Sequence, residues 1–301
     1  MKKVLVLYFS QSGQLREILE SMLKPLTGQA SIQLVWREIH MQKPFPFPWS
    51  TLTFLDAMPE SVLEIPSATD DPDIAAEAPY DLVILGYQPW FLSTSVPISS
   101  FLQSKYAAVL KDTPVVTVIG SRNMWLMAQE RIKKHLTRLG AKLVLNVPFI
   151  DRAPNSLSVI SIPLWMLTGK RQPLKLLPRA GVSETDIAAA SKHGEIILNY
   201  LQSGDCAQKK NLQPEHPAEV FPRLFGVEKR ANFIFSKWAK LIRKFGGPGD
   251  AGRKPFLLIF MVYLITVIIL IFPLTWFAYQ LQRLLAPKKL EKEARYFSTG
   301  E

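Results

Sequence analysis

Val4-Leu5-Val6-Leu7-Tyr8-Phe9, followed at once by Ser10-Gln11-Ser12-Gly13-Gln14, is the stretch that decides the fold. Six apolar or aromatic residues in an unbroken run, rich in β-formers, suit a strand covered on both faces, as in a parallel sheet. Leu15, Ile18, Leu19, Met22 and Leu23 then fall at helical spacing up to Pro25. The unit is therefore strand, polar loop, helix. It recurs along the chain. Residues 32–35, 82–85, 115–119 and 143–147 read as further strands, and residues 98–110, 125–139 and 184–202 as helices. Such alternation predicts an α/β fold with a doubly wound, five-stranded parallel sheet, and right-handed crossovers leave the order 2-1-3-4-5. The unit formed this way spans residues 1–204.

Two insertions break the rhythm. Residues 40–79 interleave Pro44, Pro46 and Pro48 with Phe45, Phe47 and Trp49, a pattern that excludes helix and central strand. An aromatic lid with a short helix near 51–57 or 60–64 is expected there. Residues 151–182 are too apolar for a free loop, so they should pack on the site, on a membrane, or on both.

The net charge of +11 is unevenly placed. Residues 209–254 hold 11 Lys and Arg against 4 Asp and Glu, whereas residues 1–208 are nearly balanced. A basic block beside an apolar run is expected of a membrane flank and argues against nucleic acid as a partner. That run, residues 255–282, carries no charge and is longer than the ~20 residues a helix needs to cross hydrocarbon. Pro273 divides it, so both a single span and a re-entrant segment are open. The balance of basic residues favours a single span with the N-terminal side inside and the short polar tail, residues 283–301, outside. Residues 205–228 read as a linker. Residues 229–246 read as a basic amphipathic helix, with Ile234, Trp238, Leu241, Ile242 and Phe245 on one face and Lys237, Lys240 and Lys244 on another. Such a helix suits a surface of anionic lipid headgroups, and docking on the domain is its alternative.

Other classes of chemistry find little support. The single cysteine, Cys206, excludes an internal disulfide and a cysteine-based metal site. His40, His135, His193 and His216 lack metal-ligand spacing, and His135 and His193 are expected to face solvent. No secretory signal is legible at the start, so the first domain is expected in the cytoplasm. The loops at the carboxyl edge of the sheet are more informative. Ser10, Gln11, Ser12, Gly13 and Gln14 lie where backbone N–H groups and a helix dipole favour a phosphate. Gln88, Pro89, Trp90 and Phe91 follow the third strand, and Gly120, Ser121, Arg122, Asn123, Met124 and Trp125 follow the fourth. Aromatic rings on one loop, with Arg122, Asn123 and amides on the other, suit a flat heteroaromatic ring bearing carbonyls. All three loops meet at the switch point of such a sheet.

The Ser-x-Ser-Gly-Gln loop and the strand order resemble the flavodoxin-like superfamily. More narrowly, the start of the chain, Pro46-Phe47-Pro48-Trp49, Gly120-Ser121-Arg122-Asn123-Met124-Trp125 and Pro163-Leu164-Trp165-Met166 resemble bacterial proteins known as dialkylresorcinol condensing enzyme. The resemblance implies FMN in the crevice, its phosphate on the first loop and its ring between the next two. Leu15 stands where that superfamily usually has another Ser or Thr, one hydroxyl fewer, worth ~1 kcal/mol. No nucleophile elbow or Walker pattern is present, so this chain lacks a nucleophile for condensation; the resemblance implies that a separate ketosynthase-like partner performs that step. What the resemblance implies for this chain is an aromatising, FMN-dependent oxidoreductase on the bacterial inner membrane, acting on a lipophilic cyclic substrate. A membrane quinone reductase and a scaffold that has lost FMN are the alternatives.

Overall fold

A computed structural model describes residues 1–75, 78–203 and 220–299. The expectations for Cys206, for His216 and for most of the linker lie outside the described residues.

In chain order the strands are β1 (Lys2–Tyr8), β2 (Ile32–Glu38), β3 (Leu82–Tyr87), a small hairpin of β4 (Pro89–Trp90) and β5 (Ser93–Thr94), β6 (Pro114–Ser121) and β7 (Lys142–Ile150). The five long strands form one sheet in the order β2-β1-β3-β6-β7, every pair parallel. With the hairpin set aside this is 2-1-3-4-5. The order is flavodoxin-like.

The helices are α1 (Gln14–Leu23), α2 (Thr51–Asp56), α3 (Met58–Leu63), α4 (Val96–Gln103), α5 (Leu126–Arg138), α6 (Asn155–Thr168), α7 (Glu184–Ala188), α8 (Ser191–Gln202), α9 (Pro222–Arg243), α10 (Lys254–Leu285) and α11 (Pro287–Thr299). Alternate residues of each strand point to opposite faces, and this divides the core in two. Val4, Val6, Ile84 and Val118 pack under α1 and α8 with Leu15, Ile18, Met22 and Tyr200. Leu5, Leu7, Val83 and Leu85 pack under α4 and α5 with Ile98, Phe101, Ile132 and Leu136. Each such side chain contributes ~1.5–3 kcal/mol by leaving water. Helix α1 packs close on the central strand β3 because residue 86 is glycine: a Cβ there would come within 2.9 Å of Leu19 Cδ1.

A third core joins the lid to the C-terminal helices. Leu55, Met58 and Val62 of α2 and α3 pack with Phe235, Ala239 and Ile242 of α9 and with Leu257 and Phe260 of α10. The sequence predicts one short helix in the first insertion, at either of two places; two are present, α2 and α3, and α9 starts at Pro222, inside the stretch expected as linker. Its docked side includes Phe225, Glu228, Phe235, Ala239 and Ile242. The stripe expected from the sequence is divided: Ile242 is buried while Leu241 and Phe245 are exposed. Beneath α9, the fully buried Arg253 meets Glu60 at 2.9 Å and Asp56 at 2.9 Å, and Arg243 meets Glu60 at 3.0 Å.

Residues 251–270 form the one helical stretch, among the described residues, that is long and apolar enough to cross a membrane. Helix α10 is continuous across Pro273. Leu258, Ile259, Val262, Ile265, Ile269 and Leu270 remain exposed along it. The tail departs from expectation. Helix α11 returns to the sheet domain, with the Tyr296 hydroxyl donating to Glu130 at 3.0 Å, Lys229 paired to Glu293 at 2.9 Å and Phe297 against Phe225. A single span that leaves residues 283–301 on the far side does not agree with these contacts. Spacing explains why: Glu293, Tyr296 and Phe297 share one helical face.

Candidate functional site

The first loop leaves β1 at the carboxyl edge of the sheet and enters α1 through Gly13, whose φ of +84° is a left-handed conformation natural to glycine. Ser10 Oγ accepts from the Arg16 amide at 3.4 Å, and the Gly13 carbonyl accepts from the Glu17 amide at 3.2 Å. The amides of Ser12, Gly13, Gln14 and Leu15 make no hydrogen bond within the described residues. They belong to the positive end of α1, and nothing stands within 4 Å of where a Cβ of residue 13 would lie. Four uncommitted donors around an open glycine fit the phosphate of FMN.

The side chains of this loop serve otherwise. Gln14 is buried and exchanges two hydrogen bonds with the Val182 backbone, at 2.9 and 3.0 Å. Gln11 donates from its amide group to the Pro46 carbonyl at 2.8 Å, and its backbone N–H donates to Gln88 Oε1 at 3.1 Å. Leu15 is fully buried and lies beneath Gly86 and Gly120, so its side chain faces the sheet rather than the loop.

The second loop is the β4–β5 hairpin. Phe91 and Leu92 at its tip have φ of +49° and +60°, a strain held by Ser61, whose one hydroxyl proton is shared between the Trp90 and Thr94 carbonyls, and by Asn232, which donates to the Leu92 carbonyl. Pro89 and Trp90 stand half-buried at the crevice. Trp90 meets Phe9, Phe45 and Trp49 edge-to-face, with centroids 5.9, 5.0 and 5.4 Å away. Phe91 turns the other way, onto Phe54, and joins the third core.

The third loop is mostly sequestered. Arg122 Nε donates to Ser158 Oγ of α6 at 2.7 Å, and burial lowers the guanidinium pKa while Asp151 opposes the shift. Asn123 is buried and Met124 half-buried. Trp125, expected beside the ring, is 1% exposed and packs in the core under α5. The amides that open α5 are also occupied: Met127 N donates to Glu228 Oε1 at 2.7 Å. Gly120 and Ser121 remain at the crevice, and Ser121 Oγ is buried without a partner.

Two coverings close over these loops. Helix α6 turns Ser158, Ser161 and Trp165 inward, and Ser161 Oγ is likewise buried without a partner. The lid joins it where the Trp49 amide donates to the Met166 carbonyl at 2.8 Å. Asp151 fastens the base of this roof by accepting from Ala153 and Gly181 amides, while burial raises its pKa. Sequence spacing singled out none of Ser158, Ser161, Asp151 and Glu228, because each reaches the crevice from a distant segment. Phe45 and Trp49 were legible as an aromatic lid.

The histidines also differ from expectation. His135 is buried, with Nε2 at 3.1 Å from Glu64 and Nδ1 at 3.0 Å from Arg138. His193 is half-buried against Phe149, and burial lowers its pKa. Both lie on helix faces turned toward neighbouring elements rather than water. No group of three His, Cys, Asp or Glu that could hold a metal occurs among the described residues.

No protein-family model matches the chain. No curated protein matches it either. Solved structures similar to it include a flavoprotein in complex with FMN from Lactobacillus acidophilus, 17% identical over 49% of this chain and 93% of that one, with a TM-score of 0.38. A WrbA-like flavodoxin from Agrobacterium tumefaciens is 14% identical over 67% and 99%, with a TM-score of 0.37. General stress protein 14 in complex with FMN from Treponema denticola is 8% identical over 66% and 99%, with a TM-score of 0.36. The fold assignment rests on strand order and direction, not on these likenesses.

Proposed function

We propose that the protein is an FMN-dependent oxidoreductase held at a membrane. The observation that carries this reading is the set of uncommitted amides at Ser12, Gly13, Gln14 and Leu15, placed at the switch point of a flavodoxin-like sheet. Those amides and the Ser10 hydroxyl would hold the phosphate. Gln88, Pro89 and Trp90 would flank the ring on one side, with Gly120 and Ser121 on the other. Bound there, FMN supplies hydride or electron transfer. The chain's own part is to bind and orient it, and to keep water out through α6 and the aromatic lid.

The exposed apolar residues of α10, with Lys237 and Lys240 exposed on α9 and Lys244 just past its end, support attachment to a bilayer with anionic headgroups, in bacteria the inner membrane. The resemblance to the dialkylresorcinol proteins supports a lipophilic cyclic substrate, oxidised to an aromatic ring after a ketosynthase-like partner has built it. Helix α11, folded back on the sheet domain, together with an α10 that is continuous across Pro273, supports an α10 that lies along the bilayer surface with its exposed apolar side in the lipid and the tail on the domain's side.

The test is a visible absorbance spectrum of the full chain purified in detergent. Flavin bands that persist through gel filtration, at a stoichiometry near one, are expected. A colourless protein that also fails to take up added FMN would reject the reading in favour of a scaffold.

A further inference from the structure

Behind the aromatic lid lies an open cavity of about 650 Å³, whose walls include Lys43, Phe45, Trp49, Asp56, Glu60 and Pro248. It is distinct from the crevice at the sheet edge. Phe45 and Trp49 separate the two, each presenting itself to Trp90 on the crevice side. The volume falls in the range of small-molecule sites, which pair apolar walls with a few placed polar groups.

Charge decides what the cavity takes. Asp56 and Glu60 line it as carboxylates, but Arg253 and Arg243 neutralise them from behind, and Asp56 also accepts from the Gly249 amide at 2.8 Å. The floor is therefore matched in charge and suits an uncharged ligand body. Lys43 is exposed and belongs to the same wall. Cationic at one point, aromatic along one wall and neutral at the base, the cavity matches an amphiphile with a flat apolar ring and one acidic oxygen group. Pro248 belongs to the connection between α9 and α10, so the cavity adjoins the root of the apolar helix.

We propose that this cavity binds such an amphiphile, its ring against Phe45 and Trp49 and its acidic group at Lys43. The role follows from the functional reading above, since the two lid aromatics that line the cavity also meet Trp90 at the crevice; the binding itself does not depend on flavin. The site would gather a lipophilic reactant beside the membrane root before it reaches the crevice.

The test uses 2-naphthoate, an apolar bicyclic ring with a carboxylate, titrated calorimetrically into the full chain in a non-ionic detergent, with and without flavin. Saturable binding near one per chain is expected. Ala68, exposed on the same wall, gives the first variant: Ala68→Trp should obstruct the cavity and weaken binding roughly tenfold. Lys43→Glu reverses the exposed charge and should weaken binding about fivefold. Both positions are exposed, so thermal unfolding should stay near that of the parent. Heats equal to those of micelles alone, or binding unchanged in both variants, would overturn the inference. A protein that shows flavin bands but no naphthoate binding rejects this site alone, whereas one that binds naphthoate yet never takes up flavin rejects the oxidoreductase reading alone.

Discussion

Helices α1 and α5 begin at the same edge of the same sheet, each after a buried strand, and their N-termini have opposite fates. At α1, Gly13 opens the backbone and four amides stay uncommitted. At α5, the protein has brought its own carboxyl: Glu228 of α9 accepts from Met127 N at 2.7 Å and is 1% exposed. Burial pushes the Glu228 pKa up to about 7, with the Met127 and Leu126 amides pulling the other way. A helix start prefers an anion. At α5 that preference is met from within the chain, and at α1 the amides stay open. Position at the carboxyl edge of a doubly wound sheet therefore nominates a site, and the local hydrogen-bond count decides it.

Removing the indole from the sequestered loop should have the largest effect. Trp125→Ala opens a cavity in the core and should lower unfolding stability by about 3–5 kcal/mol, read from denaturant melts. Flavin affinity of the folded fraction should be unchanged; a loss of affinity at constant stability would place Trp125 on the ring after all. Next comes the carboxyl at α5. A folded-state pKa raised from 4.5 to about 7 means that Glu228 contributes fully below pH 4.5 and loses that contribution as pH rises through 7. Glu228→Gln keeps an acceptor for Met127 and stays neutral, so at pH 8 it should be more stable than the parent by up to about 3 kcal/mol. The difference should vanish near pH 4. A constant difference across that range would show that folding leaves the Glu228 pKa where it stands in the unfolded chain. The smallest of the three concerns the open terminus. Gly13→Asp places a carboxylate before the free amides in a left-handed backbone, and flavin affinity should fall about a hundredfold, ~2.7 kcal/mol. Gly13→Asn, which tolerates that backbone without the charge, should retain most of it. Equal loss in both would mean that backbone shape, not anion repulsion, governs the loop.

The sheet was legible because its strands announce themselves locally. Residues 4–9 and 82–85 are unbroken apolar runs, and the residues at helical spacing after Gln14 are the ones that α1 buries. The loop between β1 and α1 was legible for the same reason: strand, Gly and helix are adjacent in sequence. The third loop was not, since Gly120 to Trp125 looks identical whether it faces a ligand or a roof, and the roof is α6, some 30 residues on. Glu228 lies about 100 residues from the amide it caps. His135 read as solvent-facing because its partner Glu64 stands just past the lid helix α3, about 70 residues earlier in the chain, a contact no periodicity encodes. Leu15 read as a missing hydroxyl, whereas its side chain packs toward Gly86 and Gly120.

The buried ion cluster at Arg253 has a practical meaning for anyone who would trim the molecule to a water-soluble piece. Cutting the chain just before residue 251 removes the apolar helix, but it also takes away Arg253, the cation that faces Asp56 and one of the two that face Glu60. Removing one member of a buried pair costs about 3–5 kcal/mol, a large share of the 5–15 kcal/mol that holds an ordinary domain together. The lid helices would suffer first, because α2 and α3 carry the abandoned carboxylates. A shortened protein made that way would keep its sheet and lose the enclosure over its crevice, so the sensible place to cut lies beyond Phe260, after the last buried side chain of that third core.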